Sequence, residues 1–323
     1  MKISNSRVKV FRSCHYSHYL KYVRDIVKKQ KASALVRGSI VHECLEAYNS
    51  GKSWKKPFNR FKEEFYENTF EEERVELGDI PDMVEELMEN YTFYYEEVNP
   101  DEYEYVSNEL HFEIPLIEGV RLEGYIDSVV EDSKGRLYTM EHKTYKRDPG
   151  REFIIFNPQS SIYNWAMEQL GKECHGTIWD IVKAKKPSWP SLLKSGKLSK
   201  AKLDSTPYSV EKGILALGLD PDDYRDFINS HSFETYFTRE VIRHNKHVTQ
   251  GIMEDLKDTA KMIRDHGEEL KDKNLGRDCS WCSYKEICQA EILGYDTDYI
   301  IQKEYEEGGR NGKNKKEKVR NRK

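Results

Sequence analysis

The stretch VRLEGYIDSVVEDSKGRLYTMEHKTY, Val120–Tyr145, decides how this chain folds, because it predicts two strands and the turn between them. Val120–Glu131 and Leu137–Lys143 are rich in β-branched and aromatic residues, as strands are. The intervening Asp132-Ser-Lys-Gly135 has the composition of a tight turn. We therefore predict a β-hairpin over this stretch.

The predicted hairpin carries a group of ionisable residues. Asp127 and Glu141 would lie near each other on the paired strands, which is costly unless a cation bridges the two carboxylates. Carboxylate oxygens are hard ligands that suit Mg²⁺ or Mn²⁺. Lys143 lies two residues after Glu141, so both side chains project to one face of the strand. Taken alone, the pattern also fits an ordinary solvated strand face.

The regions on either side of the hairpin predict a compact α/β core. A strand is expected at Tyr105–Leu116, a helix at Pro158–Leu170 and a further strand at Gly176–Val182. Amphipathic helices with acidic outer faces precede this core. The remaining predictions are a helical stretch at Arg7–Lys28, helices at Ser39–Tyr48 and Val248–Leu270, a helical insertion at Ile214–Ile228, a lysine-rich loop at Lys183–Lys202 and a strand at Glu234–Ile242.

Two helical positions are further candidates for chemistry. His42 follows Gly38 early in an amphipathic helix, where a histidine is either a metal ligand or a structural residue. Gln159 and Tyr163 are separated by four positions, which places them on one face of the next predicted helix. Such a pair could contact a base or a phosphate, although the spacing is common.

Four of the six cysteines form the most specific pattern in the chain. Cys279, Cys282 and Cys288 lie close together near the end, and Cys14 lies near the start. Four thiolates bind either zinc or an iron–sulfur cluster. Cys44 and Cys174 lack such spacing and are expected to be buried thiols.

Composition sets limits on the class of protein. The chain has 323 residues and a net charge of -5, so it does not resemble a protein that coats nucleic acid. Gly308–Lys323 carries eight Lys or Arg and one Glu, a charge of +7, which leaves -12 on the rest. This basic tail is expected to be disordered. Because no signal peptide or membrane span is visible, we expect a cytoplasmic protein whose clustered cysteines bind metal.

These motifs together resemble the RecB-like branch of the PD-(D/E)xK nuclease superfamily. The matching pieces, in the order of that family, are Gly38-x3-His42, Gly124-Tyr-Ile-Asp127, Glu141-His-Lys143-Thr144, Gln159-x3-Tyr163 and the four cysteines. The resemblance is greatest to the iron–sulfur members, which are AddB-type nuclease domains, CRISPR-associated RecB-like exonucleases and phage RecB-like exonucleases. No phosphate-binding loop of a helicase is visible in the sequence.

The resemblance implies a restriction-endonuclease-like core, a mixed sheet flanked by helices, and a role for each matching residue. His42, Asp127, Glu141 and the backbone carbonyl of His142 would bind Mg²⁺ or Mn²⁺. Lys143 would be catalytic together with the two carboxylates, and Gln159 and Tyr163 would line the DNA path. Cys14, Cys279, Cys282 and Cys288 would hold a [4Fe-4S] cluster that joins the chain ends.

We therefore expect a metal-dependent DNA exonuclease that acts in phage-type recombination, repair or DNA processing, with DNA and a recombination or helicase protein as partners. The alternatives are an endonuclease, an end-trimming nuclease of CRISPR adaptation, and a non-catalytic iron–sulfur subunit that binds DNA. The chain divides into five successive segments. They are a helical region (1–104), the nuclease core (105–182), a basic loop with an insertion and a long helix (183–270), the cysteine cluster (271–300) and the tail (301–323).

Overall fold

The computed structural model describes residues 1–29 and 33–308. The predicted basic, disordered tail therefore lies outside the described residues from 309 onward. Its beginning at 301–307 is ordered instead, as the end of a helix and a short strand. Among the residues that are described, no helix is both long enough and apolar enough to cross a membrane.

Strands and helices occur in successive groups along the described chain. The strands are β1 (Lys2–Ile3), β2 (Ile26–Lys28), β3 (Glu104–Ile117), β4 (Val120–Glu131), β5 (Leu137–Tyr145), β6 (Gly176–Lys183), β7 (Phe237–Arg243) and β8 (Tyr305–Glu307). The α-helices are α1 (Asn5–Ser13), α2 (His15–His18), α3 (Ser33–Asn49), α4 (Lys55–Asn68), α5 (Glu71–Leu77), α6 (Ile80–Phe93), α7 (Arg151–Ile155), α8 (Pro158–Gln169), α9 (Pro207–Ala216), α10 (Arg225–Asn229), α11 (Lys246–His266), α12 (Lys285–Ile292) and α13 (Asp298–Glu304).

These elements form two compact units, and each unit is assembled from separate parts of the chain. Within the described residues, the first unit draws on 1–29, 111–124 and 247–308, and the second on 33–110 and 125–246. The five-segment division of the sequence stays a prediction, because it concerns successive stretches of chain and not units in space.

The first unit contains both ends of the described chain. Ser4 caps α1 by accepting a hydrogen bond from the backbone N–H of Arg7, and α1 ends at Cys14, whose backbone is extended. The predicted helical stretch Arg7–Lys28 is therefore interrupted at Cys14 and continues as a short helix and a π-helical turn. It is wrong at its end, where residues 26–28 form β2. Strand β2 pairs antiparallel with β8, and β1 pairs in parallel with the start of β4.

The second unit is built on a mixed sheet. β5 lies between β4, with which it is antiparallel, and β6, with which it is parallel; β7 is antiparallel to β6, and β3 also pairs with β4. The predicted hairpin is confirmed. In its turn the Asp132 carboxylate accepts hydrogen bonds from the backbone N–H groups of Lys134 and Arg136. Gly135 has a φ of 74°, which favours glycine.

Helices cover both faces of this sheet. The Tyr91 hydroxyl on α6 donates to Asp180 of β6, whereas Trp179, the preceding residue on β6, donates to Ser160 of α8. Because successive side chains of a strand point to opposite faces, α6 and α8 lie on opposite faces of the sheet. An apolar core lies between the sheet and the helices on the α6 side, and it includes Phe58, Leu87, Tyr91, Tyr236 and Phe237.

Several local predictions can be compared directly with the structure. The amphipathic helices before the core are present as α4 and α6, and Cys44 and Cys174 are buried at 0% and 5% exposure. The insertion predicted at Ile214–Ile228 is helical, as expected, but it is not one continuous helix. Here α9 begins earlier, capped by Thr206, and ends at Ala216 before a separate 3-10 turn and α10.

Candidate active site

The hairpin brings the two predicted carboxylates together. The β4–β5 register pairs Ser128 with Met140 and, continued by one residue, places Asp127 beside Glu141. An Asp127 carboxylate oxygen, Oδ2, accepts a hydrogen bond of 2.9 Å from the backbone N–H of His142. The turn chemistry described above fixes this register, so it also fixes the spacing of the two acids.

The two carboxylate oxygens of Glu141 have different surroundings. Glu141 is only 2% exposed; its Oε1 forms an ion pair with Lys143, and its Oε2 is buried without a hydrogen-bond partner. Burial, followed by the charge of Asp127, raises the pKa of Glu141 to about 7. Burial lowers the pKa of Lys143, but the Glu141 carboxylate more than offsets this, and the pKa is raised overall.

His42 reaches the same place from α3. Its Nδ1 lies 3.5 Å from Oδ2 of Asp127. Burial lowers the pKa of His42 to about 4, so the imidazole is neutral at pH 7, which is the form that binds metals. Helix α3 lies close to β5, since a Cβ atom at Gly38 would be 3.4 Å from Oγ1 of Thr144.

The donor set fits a hard divalent cation. A buried carboxylate oxygen without a donor is unfavourable, and a bound cation would satisfy Oε2 of Glu141. Across the described ranges, however, no three His, Cys, Asp or Glu side chains form a group that could hold a metal ion. Instead, His42 lies next to Asp127, Asp127 lies next to Glu141, and Lys143 pairs with Oε1 of Glu141. Their role as ligands stays a prediction.

Gln159 and Tyr163 lie on α8, on the face of the sheet to which Glu141 points. Glu141 and Trp179 are register partners on β5 and β6, and Trp179 holds α8 through Ser160 at 2.8 Å. The Gln159 side chain donates to the Tyr163 hydroxyl at 2.8 Å. Burial, and then the charge of Glu141, raises the pKa of Tyr163. Their contact with DNA stays a prediction.

Two parts of the site were missed from the sequence. The first is Glu109 on β3, whose φ of 50° is unusual for a residue with a side chain. Burial, and then the negative charges of Asp127 and Glu46, raise the pKa of Glu109 to about 7. The second part lies under His142, whose side chain contacts Asp180 of β6. A charged residue in the middle of the apolar stretch Gly176–Val182 was the available signal for Asp180.

The four cysteines of the predicted cluster lie in the first unit. Cys14, Cys282 and Cys288 pack against one apolar cluster, and the pKa of Cys288 is raised by burial and also by Cys14, Cys279 and Cys282. Each of the other three thiols is therefore within electrostatic reach of Cys288.

Backbone N–H groups point at two of these sulfurs. Gly276 donates to Cys279 Sγ and Tyr284 donates to Cys282 Sγ, each at 3.4 Å. Hydrogen bonds of this kind accompany bound thiolates in iron–sulfur proteins. The four cysteines are free thiols and do not form a closed single-ion site within the described part of the chain. The binding of an iron–sulfur cluster by these cysteines stays a prediction.

Comparison with known proteins agrees with the geometry of the hairpin site. The family model of the PD-(D/E)XK nuclease superfamily matches residues 2–289, so the chain belongs to this superfamily. Comparison with curated proteins gave no match. Among solved structures, the chain is similar to a presumed exonuclease from Eubacterium rectale, with 13% identity, a TM-score of 0.48 and coverage of 88% of this chain and 87% of that one. It is also similar to the protein SSO0001, with 13% identity, a TM-score of 0.31 and coverage of 72% and 80%.

Proposed function

We propose that this protein is a metal-dependent deoxyribonuclease that degrades DNA from its ends and acts with Mg²⁺ or Mn²⁺. The observation that carries the proposal is the buried Oε2 of Glu141, which has no hydrogen-bond partner and lies beside Asp127, in a chain that belongs to a nuclease superfamily. Such an oxygen is unfavourable in the protein alone and favourable next to a divalent cation.

The side chains divide the work of phosphodiester hydrolysis. When bound, the cation would activate a water and offset the charge of the scissile phosphate. Asp127 and Glu141 would hold it through oxygen atoms, and neutral His42 through a ring nitrogen. The Lys143 ammonium, on the same strand face as Glu141, would stabilise the negative charge that develops on the phosphate as water attacks and the P–O bond breaks.

We further propose that Cys14, Cys279, Cys282 and Cys288 hold a [4Fe-4S] cluster with a structural role. The influence of the other three thiols on the pKa of Cys288 and the two N–H···S hydrogen bonds support a shared group at this position. A zinc ion held by four thiolates is the alternative. Cytoplasmic location, action in recombination or repair, and a recombination or helicase partner belong to the same proposal.

Digestion of end-labelled DNA tests this function. Linear single- and double-stranded DNA, labelled at the 5′ or the 3′ end, is incubated with Mg²⁺, Mn²⁺ or EDTA, and covalently closed circular DNA is included. We expect cation-dependent loss of linear DNA and survival of the circle. Cleavage of the circle would instead support the endonuclease alternative. Binding without any cleavage in either metal would overturn the nuclease proposal and favour a non-catalytic subunit.

A further inference from the structure

Three ionisable side chains form a row across the sheet beneath the candidate site. His142 on β5 is the register partner of Asp180 on β6, and Asp180 is the register partner of Arg239 on β7. The three side chains therefore share one face, opposite to the face of Glu141. His142 Nδ1 lies 2.7 Å from Asp180 Oδ2, and Arg239 Nε donates to Asp180 Oδ1 at 3.2 Å.

The row is almost completely removed from solvent and fully paired. Asp180 is 0% exposed and His142 3%. Asp180 also accepts a hydrogen bond from the Tyr91 hydroxyl at 2.7 Å, and the Arg239 guanidinium makes two further bonds to Asp101, at 2.7 and 3.0 Å. Buried ion pairs gain little net stability over an apolar core of similar volume, because desolvating the charges offsets their attraction. Stability alone therefore does not account for the row.

The row meets the candidate metal site at His142. The backbone N–H of His142 holds the carboxylate of Asp127 at 2.9 Å. Its ring contacts Asn49, the last residue of α3, with Nε2 3.0 Å from the Asn49 amide nitrogen. Helix α3 also carries His42. One residue thus connects the row to Asp127 through its backbone N–H and to the helix of His42 through its ring.

We propose that Asp180 and Arg239 are positioning residues, which fix His142 so that Asp127 and His42 are held at the correct separation to bind a divalent cation. This inference rests on the proposed function and concerns residues that do not touch the cation or the DNA. Residues that orient metal ligands in this way typically change metal affinity or activity by about 10- to 100-fold when they are replaced.

Asp180→Asn is the direct test, because it keeps the shape of the side chain. The new amide presents its NH₂ group either to the ring N–H of His142 or to the guanidinium of Arg239. In both cases two hydrogen-bond donors face each other. Glu86→Gln is the matched control. Glu86 is a carboxylate 4% exposed in the same unit, bonded to Ser209, Lys212 and Trp189 and absent from the row.

Mn²⁺ binding to the full-length protein is measured by calorimetry without DNA, and cleavage is measured as kcat and KM for DNA. For Asp180→Asn we expect Mn²⁺ affinity to fall about 10-fold or more. We also expect kcat at a fixed subsaturating Mn²⁺ concentration to fall, with KM for DNA unchanged. Glu86→Gln should match the wild type in all three. Equal Mn²⁺ affinity in Asp180→Asn and Glu86→Gln would overturn the positioning role.

Tyr91→Phe keeps the proposal testable if Asp180→Asn does not fold. It removes one hydrogen bond to Asp180, and Tyr236→Phe, equally buried but bonded to the Asp204 carbonyl, is its control. We expect weaker Mn²⁺ binding only in Tyr91→Phe, and wild-type binding in both variants would overturn the role. The two proposals fail separately. A wild type that binds Mn²⁺ but cleaves no DNA ends the nuclease function alone, whereas a wild type that binds no Mn²⁺ ends the positioning role.

Discussion

At the scale of single residues, the separate surroundings of the two Glu141 oxygens define the chemistry of the site. Oε1 is held by Lys143, whereas Oε2 is buried without a donor. A carboxylate kept in this state is poorly suited to a purely structural role, because the charged form is disfavoured by burial and by Asp127. The free oxygen is therefore the position at which a cation gains most from binding.

Glu141→Gln should abolish cation-dependent cleavage. The substitution keeps the volume of the side chain but replaces one anionic oxygen with an NH₂ group that repels a cation. We expect kcat to fall by about 100-fold or more and calorimetric Mn²⁺ binding to be lost. Glu240→Gln is the control. Glu240 lies two strands away from Glu141, since Trp179 on β6 is the register partner of both, and it pairs with Arg151 at 3.0 Å. Cleavage by Glu141→Gln at the rate of Glu240→Gln would exclude Glu141 from the site.

Lys143→Met should separate metal binding from catalysis. The ammonium acts on charge that develops in the transition state, so its loss should lower kcat by about 100-fold or more. Mn²⁺ affinity should be unchanged or tighter, because Lys143 no longer pairs with Glu141 Oε1. Lys185→Met, which removes an exposed lysine paired with Asp204, should behave like the wild type. Parallel loss of Mn²⁺ binding and cleavage in Lys143→Met would indicate a structural role instead.

The sequence identifies the residues of the site whose spacing is local and leaves out those whose placement depends on distant strands. Asp127, Glu141 and Lys143 are predictable because one hairpin with a recognisable turn carries all three. Arg239 is not, because its partnership with Asp180 exists only after β6 and β7 pair in one register. Glu109 is missed because a left-handed backbone at a glutamate has no signature in the sequence.

At the scale of secondary-structure elements, the same distinction holds. β3, β4 and β5 follow from alternating residues and glycine turns, which are local features. β1, β2 and β8 are only two or three residues long and exist through pairing with distant segments. The helix predicted through Lys28 failed for this reason, because residues 26–28 pair with 305–307 instead of continuing the helix.

At Gly176 the backbone of β7 leaves no room for a side chain on β6. A Cβ atom at this position would overlap the carbonyl oxygen of Ile242 and lie 3.1 Å from Cα of Arg243, and both are backbone atoms that cannot rotate away. We expect Gly176→Ala to destabilise the second unit by about 1–3 kcal/mol, measured by denaturant unfolding. Gly251→Ala, on α11 with nothing within 4 Å of the added Cβ, should be neutral or slightly stabilising. Equal unfolding of both variants and the wild type would show that the strands can separate without cost.

At the scale of the whole molecule, the four cysteines come from opposite ends of the sequence and lie in one unit. Cys14 ends α1, whereas Cys279, Cys282 and Cys288 belong to the turn and helix near the other end. A group that binds all four closes a loop containing most of the chain, and closing a long loop removes much conformational freedom from the unfolded state. We therefore expect the bound group to stabilise the fold and to take no part in hydrolysis.

Cys282→Ser should give a colourless protein with a lowered melting temperature. The hydroxyl is a weaker ligand than a thiolate, so the cluster should be lost and with it the connection between the two ends of the chain. Cys174→Ser is the control, because Cys174 is buried in the second unit, where the new hydroxyl can still donate to the Gly176 carbonyl. Metal and sulfide analysis of anaerobically purified wild type decides the identity of the group. About four irons with matching sulfide per chain would support a [4Fe-4S] cluster. One zinc per chain without iron would show a four-thiolate zinc site in its place. A chain free of both metals would end the proposal of a cysteine-bound centre.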